Sequence, residues 1–291
     1  MKWTPGYRSD DVEDRRGQGG GGGGFSAGGV GMLFTLFKLF GLPGVLIGGA
    51  IMLFGSGLFS SGSRTESRAV PSETAQPGSA GDGSDFVAFV FDDVQKTWKG
   101  VFADSSERYA GAKLVLFTDA TRTGCGTGQA VMGPFYCPLD QRVYIDLSFY
   151  AELKQRFGAP GDFAQAYVIA HEVGHHVQHL LGIDEKVQRA AKGEQTGADA
   201  LSVRLELQAD CLAGIWAKST DQRQMLEGGD IEEALGAATA IGDDKLQQQG
   251  QGRVTPETWT HGSSAQRVRW FKRGFEVGTI EGCDTFSASK L

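Results

Sequence analysis

The chain is poor in the residues that most often build metal sites, with four cysteines and five histidines among 291 residues. No two cysteines are spaced as Cys-x-x-Cys, which disfavours a zinc site built from cysteine thiolates. The chain also lacks a cluster of lysine and arginine with interleaved aromatic residues, and its net charge is −7 at pH 7. Both features argue against a nucleic-acid partner.

The histidines are concentrated in one place, since four of the five lie between His171 and His179. This run contains the pattern His-Glu-x-x-His over residues 171–175. On a helix, successive residues are rotated by about 100°, so His171 and His175 lie on one face, one turn apart. Their imidazoles can bind one ion, and Glu172 beside them can take a proton from a water on that ion. The alternative is a surface helix that happens to be rich in histidine.

The surrounding residues predict that this motif lies in a long helix. Apolar residues recur at helical spacing on both sides of it, and Gly182 is a suitable residue just past the end. Asp162 is the predicted N-cap, with Gln165 as its capping-box partner. His179 continues the series of His171 but lies about 12 Å further along the axis, too far for one ion. A third ligand must therefore come from another segment.

A second apolar helix, predicted near residues 197–218, offers that third ligand. Metzincins would instead carry a histidine at position 181, where this chain has Leu181. Glu206 and Asp210 are four residues apart and share a face, and a buried carboxylate is costly unless it is paired or metal-bound. We expect Glu206 to bind zinc and Asp210 to hold a histidine ring by its free N–H. Two alternatives stay open: Asp210 is the ligand, or both carboxylates belong to a solvated stripe.

Three motifs together resemble a known family. They are His-Glu-Val-Gly-His-His-Val-Gln from His171, Glu-Leu-Gln-Ala-Asp-Cys-Leu-Ala-Gly from Glu206, and His-Gly-Ser-Ser-Ala-Gln-Arg from His261. In this order they look like the putative neutral zinc metallopeptidases of bacteria, and the likeness covers nearly the whole chain. The resemblance implies a membrane-anchored, zincin-like protein with glutamate as the third ligand, and it implies no particular substrate.

The predicted fold class is α+β, a helix-rich zincin-like metallopeptidase domain with a small β-sheet, preceded by one transmembrane helix. In zincins an edge strand beside the site pairs with extended substrate, and Tyr144 and Asp146 are candidates for such a strand. Apolar spacing predicts further helices near 84–103, 148–157, 230–248 and 263–277, and strands over 113–118 and 142–147.

The predicted function is a zinc-dependent endopeptidase with one Zn²⁺ per chain and a protein or peptide substrate. His171, His175 and Glu206 are the expected ligands, and Glu172 is the expected general base. His261 precedes a serine-capped helix, where it is either a second donor to the oxyanion or a loop histidine with a local hydrogen bond. The rival functions are a non-catalytic, zinc-stabilised, membrane-tethered adaptor or chaperone-like protein, and a metal enzyme with a non-peptide substrate.

The N-terminal part of the chain is predicted to lie outside this domain. Residues 1–29 are charged and then glycine-rich, which predicts a disordered tail. Residues 30–59 contain Lys38 as their one charged residue, and a stretch of this length spans a bilayer as a signal anchor. A buried helix or a cleaved signal peptide is the alternative, although no Ala-x-Ala site follows. Residues 60–84 are the predicted flexible linker, and residues 85–291 the peptidase domain.

Charges and cysteines predict the orientation of the domain. More lysines and arginines precede the apolar stretch than follow it closely, which favours a cytoplasmic N-terminus in a single-pass protein of the bacterial cell membrane. All four cysteines follow the stretch, as expected of a domain on the periplasmic or extracellular side. We predict the disulfides Cys125–Cys137 and Cys211–Cys283, with another pairing or four reduced thiols as the alternatives. The sequence makes no prediction about the oligomeric state.

Overall fold

A computed structural model describes residues 1–18, 83–103, 107–191 and 196–291. These residues form a helix-rich α+β domain, as the apolar spacing predicts. The α-helices are α1 (Ser84–Ala103), α2 (Ser148–Gln155), α3 (Asp162–Leu180), α4 (Ile183–Ala190), α5 (Leu201–Gln222), α6 (Asp230–Ala240), α7 (Asp243–Gln251) and α8 (Ser264–Val277). The β-strands are β1 (Val12–Asp14), β2 (Lys113–Phe117), β3 (Ala120–Thr123), β4 (Gly126–Gln129), β5 (Phe135–Cys137) and β6 (Arg142–Asp146).

The main sheet has the strand order β1–β2–β6–β5, and β3 and β4 form a separate antiparallel hairpin. β2 pairs in parallel with both β1 and β6, whereas β5 pairs antiparallel with β6. Tyr144 and Asp146 lie on β6, between two neighbours, so their assignment to an edge strand is wrong. The edge strand beside β6 is β5, a three-residue strand from the turn-rich Cys125–Cys137 segment, which is too short to show a period in the sequence.

Close contacts between helices depend on glycines in their interiors. Gly174 of α3 lies against the backbone of Ala209 on α5, where an added Cβ would approach the Ala209 carbonyl oxygen to 3.0 Å. At the crossing of α5 and α8, a Cβ on Gly274 would overlap the carbonyl oxygen of Cys211. The ring of Phe163 on α3 stacks on Trp216 of α5 with centroids 5.3 Å apart. These contacts bring α3, α5 and α8 together around the motif.

The two predicted disulfides are confirmed. Cys125 and Cys137 are joined with their Cα atoms 5.8 Å apart, which closes the segment that leads from β4 to β5. Cys211 and Cys283 are joined with their Cα atoms 5.6 Å apart, which ties the C-terminal tail to α5.

The helix predicted near residues 230–248 is instead two helices, α6 and α7, with Gly242 between them. A Cβ on Gly242 would overlap the backbone nitrogen of Ser264, so glycine is needed where α8 begins. The carboxylate of Asp244, in the first turn of α7, accepts hydrogen bonds from both the backbone and the hydroxyl of Ser264 at 2.7 Å. The break is therefore set by a contact with a distant segment.

Residues 1–18 are part of the folded domain, which contradicts the prediction of disorder for this portion of the 1–29 tail. β1 pairs with β2 in the register Glu13 to Val115. The Trp3 ring packs edge-on against Phe86 of α1 with centroids 5.3 Å apart. The prediction failed because β1 has the sequence Val-Glu-Asp, which carries no strand signal and is ordered by its partner.

The first residue of the chain contacts the start of the motif helix. The Met1 side chain is buried, and its amino group lies 2.9 Å from Asp162 and 3.3 Å from both Glu227 and Asp230. Asp162 is the first residue of α3, and Gly161 occupies the N-cap position without a side-chain hydrogen bond. The predicted Asp162–Gln165 capping box is therefore wrong, because the Asp162 carboxylate faces the Met1 ammonium instead.

Within the described ranges, no helix has both the length and the apolar character needed to cross a membrane. The predicted transmembrane helix, residues 30–59, and residues 60–82 of the predicted linker lie outside those ranges.

Candidate metal centre

The His-Glu-x-x-His motif lies in the middle of α3, on the side that packs against α5. His171 and Glu172 are buried, at 6% and 7% exposed. The Nε2 atom of His171 lies 3.2 Å from Oε2 of Glu206, and that of His175 lies 3.5 Å from Oε1 of the same carboxylate. His171 and His175 therefore lie one helical turn apart on the same face, as predicted, and α5 places the Glu206 carboxylate beside both rings.

These three side chains fit a zinc ion. One ligand atom from each of His171, His175 and Glu206 lies within 4.8 Å of the other two. Two imidazole nitrogens and one carboxylate oxygen form a set that zinc accepts in enzymes, with a water as the fourth ligand. Bonds of about 2.1 Å to a common ion require a separation of this order between the donor atoms.

Asp210 lies behind His171 and contacts the other ring nitrogen. His171 Nδ1 lies 2.9 Å from Asp210 Oδ1, which leaves Nε2 facing Glu206. Arg267 donates from Nε and Nη2 to the two Asp210 oxygens, each at 2.9 Å, and the Tyr167 hydroxyl donates to Oδ1. The buried carboxylate is therefore paired and hydrogen-bonded, as burial of a charge requires. Of the two carboxylates considered from the sequence, Glu206 faces both histidines and Asp210 supports one of them.

Burial and charge pairing act in opposite directions on the pKa values of this cluster. Burial lowers the pKa of His171, but the Asp210 charge and hydrogen bonds to Asp210 and Glu206 raise it, to about 10. Burial raises the pKa of Glu206, but His175 and His171 hold it well below its usual range. The pKa of Asp210 is also lowered, because Arg267 and His171 outweigh its burial. Both carboxylates therefore stay ionised, and Glu206 is the one that faces the two ring nitrogens.

Tyr150 is a buried tyrosine that no sequence pattern singled out. Its hydroxyl oxygen is buried and has no hydrogen-bond partner among the residues that the structure describes. Burial raises the pKa of Tyr150, and the negative charge of Glu172 raises it further, so the hydroxyl is within electrostatic reach of the motif. No sequence signal marks Tyr150, because α2 and α3 come together only in the fold.

His261 lies in the loop between α7 and α8. Its Nδ1 is 2.8 Å from the Thr260 hydroxyl and 3.4 Å from Asp243, so the local hydrogen bond considered from the sequence is present. Its side chain is 51% exposed, yet the ring is close enough to lower the pKa of Glu206. The serine cap that follows is also found, since Ser263 forms a capping box at the start of α8.

The other two histidines of the run support α3 and its neighbours. The Tyr136 hydroxyl on β5 lies 2.9 Å from Nδ1 of His176, whose Nε2 lies 2.6 Å from the Ala110 carbonyl oxygen. His179 contacts Asp184 at 2.8 Å, at the start of α4. These contacts hold the edge strand β5 alongside the motif helix.

Arg267 and Tyr167 also have roles that the sequence analysis did not assign. Arg267 is the last residue of the third motif, so the sequence marked it as a candidate functional residue. Its partner Asp210, however, lies 57 residues away in the chain. Only the packing of α8 on α5 reveals that this buried guanidinium holds the carboxylate behind His171.

Comparison with known proteins agrees with this geometry. Residues 1–286 match the family described as putative neutral zinc metallopeptidase. The chain belongs to this family. The family match includes residues 1–18 together with all three site motifs, in line with their common fold.

Relatives of this metallopeptidase family member occur in Escherichia coli and in Mycobacterium. The chain is 48% identical over 295 residues to the protein "Uncharacterized protein YpfJ" of Escherichia coli (strain K12), covering 99% of this chain and 100% of the relative. It is 46% identical over 209 residues to "Uncharacterized protein Rv2575" of Mycobacterium tuberculosis (strain ATCC 25618 / H37Rv), covering 68% of this chain and 69% of the relative. No solved structure matches the chain.

Proposed function

We propose that this chain is a zinc-dependent endopeptidase in which His171, His175 and Glu206 hold one Zn²⁺ and Glu172 is the general base. The observation that carries the proposal is the convergence of two Nε2 atoms on the Glu206 carboxylate inside the protein. Membership of a metallopeptidase family supports a protein or peptide substrate. Glu172 supports catalysis over a purely structural site, since a structural site needs no base.

Each polar group of the site has a role in peptide hydrolysis. When bound, zinc lowers the pKa of a water toward about 7 and polarises a carbonyl group. The Glu172 carboxylate takes a proton from the attacking water and delivers it to the nitrogen of the leaving amine. The Tyr150 hydroxyl and the His261 ring are the donors available to the carbonyl oxygen as negative charge develops there. Thr260 and Asp243 contact the His261 ring through Nδ1. Burial lowers the pKa of His261, but the hydrogen bond to Asp243 and the Glu206 charge raise it, and the protonated ring donates from Nε2.

The substrate is proposed to lie along β5 as an extended strand. β5 is an edge of the main sheet and is held beside α3 by the contact between Tyr136 and His176. A sheet edge offers backbone hydrogen bonds to an extended peptide, while pockets and patches beside it select side chains. Three highly exposed apolar residues flank β5, and they favour substrates with apolar side chains: Val131, Met132 and Leu139, at 71%, 67% and 76%.

We further propose that the domain acts on the periplasmic or extracellular side of the bacterial cell membrane, with residues 30–59 as its anchor. Two disulfides support an oxidising compartment. The apolar sequence of residues 30–59 supports the anchor. Neither a single crossing of the membrane by residues 30–59 nor a cytoplasmic N-terminus is retained in this proposal, because a strand that pairs with β2 must share the compartment of β2.

The test of this function compares Glu172→Gln with His171→Ala in the full-length protein. Glu172→Gln should keep zinc and thermal stability near those of the parent, because the three ligands remain. Loss of the base should lower hydrolysis on the order of a hundredfold to ten-thousandfold. His171→Ala should lose both zinc and hydrolysis. Elemental analysis measures the metal, and a proteome-wide comparison of cleaved termini between parent and Glu172→Gln measures hydrolysis even though the substrate is unidentified.

Two outcomes would contradict the proposal. Zinc retained in His171→Ala and also in His175→Ala would refute the assignment of the ligands. A cellular phenotype that survives in Glu172→Gln and disappears in His171→Ala would show that metal-dependent structure is the function, as in an adaptor.

A further inference from the structure

Buried side-chain amides connect His175 to the C-terminal tail. His175 Nδ1 lies 2.8 Å from Oε1 of Gln178. The Gln178 amide nitrogen donates to the Leu205 carbonyl oxygen at 2.7 Å and to Gln208 Oε1 at 3.0 Å. The Gln208 amide nitrogen donates in turn to the Cys283 carbonyl oxygen at 3.1 Å. Gln178 and Gln208 are 0% and 5% exposed, and we call this pair the glutamine relay.

Two backbone carbonyl oxygens fix the direction of the glutamine relay. A carbonyl oxygen can only accept, so the NH₂ group of Gln178 must face Leu205 and that of Gln208 must face Cys283. Gln178 therefore presents its oxygen to His175 and accepts a hydrogen bond from Nδ1–H. The neutral His175 ring then carries no proton on Nε2, which is the atom directed at Glu206. The relay thus selects the tautomer that a metal ligand requires.

The far end of the glutamine relay is held in place by covalent and hydrogen bonds. Cys283 is fully buried and is joined to Cys211 on α5, close to Gln208. Two residues on, the Thr285 hydroxyl donates to the Arg204 carbonyl oxygen at 2.7 Å. If this tail left α5, Gln208 would lose its acceptor, and the Leu205 carbonyl alone would direct the Gln178 amide.

We infer that Gln178 and Gln208 are positioning residues for the zinc ligand His175, and that the Cys211–Cys283 disulfide holds one of the two carbonyl groups that align them. This inference rests on the proposed zinc site. It gives the two histidines separate supports, since His171 is held by the Asp210 carboxylate and His175 by a neutral amide. Loss of such a partner typically weakens metal binding about 10- to 100-fold.

A matched pair of substitutions at Gln178 tests the first part. Gln178→Leu and Gln178→Glu both lose donation to the Leu205 carbonyl, but the glutamate keeps an acceptor for His175 Nδ1–H. The zinc dissociation constant of the full-length protein, measured by competition with a chelator, should rise about 10- to 100-fold in Gln178→Leu. It should stay much closer to the parent value in Gln178→Glu. Thermal melts of the metal-free proteins check that both variants fold.

A double-mutant cycle tests the role of the tail. Removal of the Cys211–Cys283 disulfide by two serines should weaken zinc binding in the parent but add little in a Gln208→Leu background, because both changes break one relay. Removal of the Cys125–Cys137 disulfide is the matched control and should leave the zinc dissociation constant unchanged. Additive losses in the cycle would show that the disulfide acts on zinc by another route.

The outcomes separate this inference from the proposed function. A parent protein that binds no zinc would overturn the function itself. A parent that binds zinc, with Gln178→Leu binding equally tightly, would overturn the relay and leave the function standing. Should Gln178→Leu fail to fold, the zinc dissociation constant of Gln208→Leu decides. It should exceed that of the parent, and an unchanged value would overturn the inference.

Discussion

At the scale of a single residue, the buried Tyr150 hydroxyl leads to a prediction about catalysis. An unsatisfied buried donor costs about 1–3 kcal/mol, and this one is buried without a partner among the described residues, within reach of the Glu172 charge. A substrate carbonyl oxygen would supply the missing acceptor. We predict that Tyr150→Phe retains zinc, does not lower the melting temperature, and reduces kcat on the order of a hundredfold. Turnover of a cleaved peptide and a thermal melt measure the two effects.

The matched control is Tyr7→Phe, which removes a hydroxyl that is hydrogen-bonded. Tyr7 donates to Asp92 at 2.9 Å, where the N-terminal segment packs on α1. This variant should lose about 1 kcal/mol of stability and keep its turnover, the opposite of the result expected for Tyr150→Phe. If Tyr150→Phe lost stability while its kcat was unchanged, the hydroxyl would be a structural group and not a donor to substrate.

At the scale of secondary-structure elements, the close crossing of α5 and α8 leads to a prediction about stability. A methyl group on Gly274 would overlap the backbone of Cys211, and backbone cannot move aside without separating the helices. Gly274→Ala should therefore lower the free energy of unfolding by about 3 kcal/mol or more. It should also weaken zinc binding, because α8 carries the Arg267 that holds Asp210. Urea unfolding and zinc titration measure the two effects.

Gly236→Ala is the matched control for Gly274→Ala. Gly236 lies in the interior of α6, and a Cβ added there would meet no atom of another element within 4 Å. Gly236→Ala should therefore stabilise the protein by roughly 0.5–1 kcal/mol. Equal effects of the two substitutions would mean that helix propensity, and not the close approach of α5 and α8, determines the result at Gly274.

Elements with strong local signals were predictable from the sequence, whereas elements that depend on a distant partner were not. The motif helix α3 was predictable from its apolar face and from Gly182, which adopts the left-handed conformation just past its end. The three-residue strands β1 and β5 were not, because each is ordered by its neighbour in the sheet. The site follows the same rule. Helical spacing predicted that His171 and His175 lie on one face, whereas the hydrogen bonds by which Gln178 and Arg267 hold the site depend on packing between helices.

The N-terminal strand constrains the topology of the whole molecule. β1 lies in the sheet beside β2, and residues 1–18 contact α1 through Trp3 and Tyr7. The disulfides favour an exported domain. Because β1 pairs with β2, residues 1–18 and the described residues from 83 onward lie on the same side of any membrane. The pairing of β1 with β2 is stronger evidence on topology than the distribution of positive charges, which favours a cytoplasmic N-terminus.

We therefore predict that Thr4→Cys and Glu257→Cys react alike with a membrane-impermeant thiol reagent. Both positions are exposed in the fold, and the four native cysteines are paired in disulfides, so background labelling should be low. In cells whose outer barrier has been opened, both engineered cysteines should be labelled, while a cytoplasmic marker protein stays unlabelled. Lysis with detergent provides the full-labelling reference for each variant. Protection of Thr4→Cys together with labelling of Glu257→Cys would place the N-terminal segment across the membrane, and β1 would then not pair with β2 in the cell.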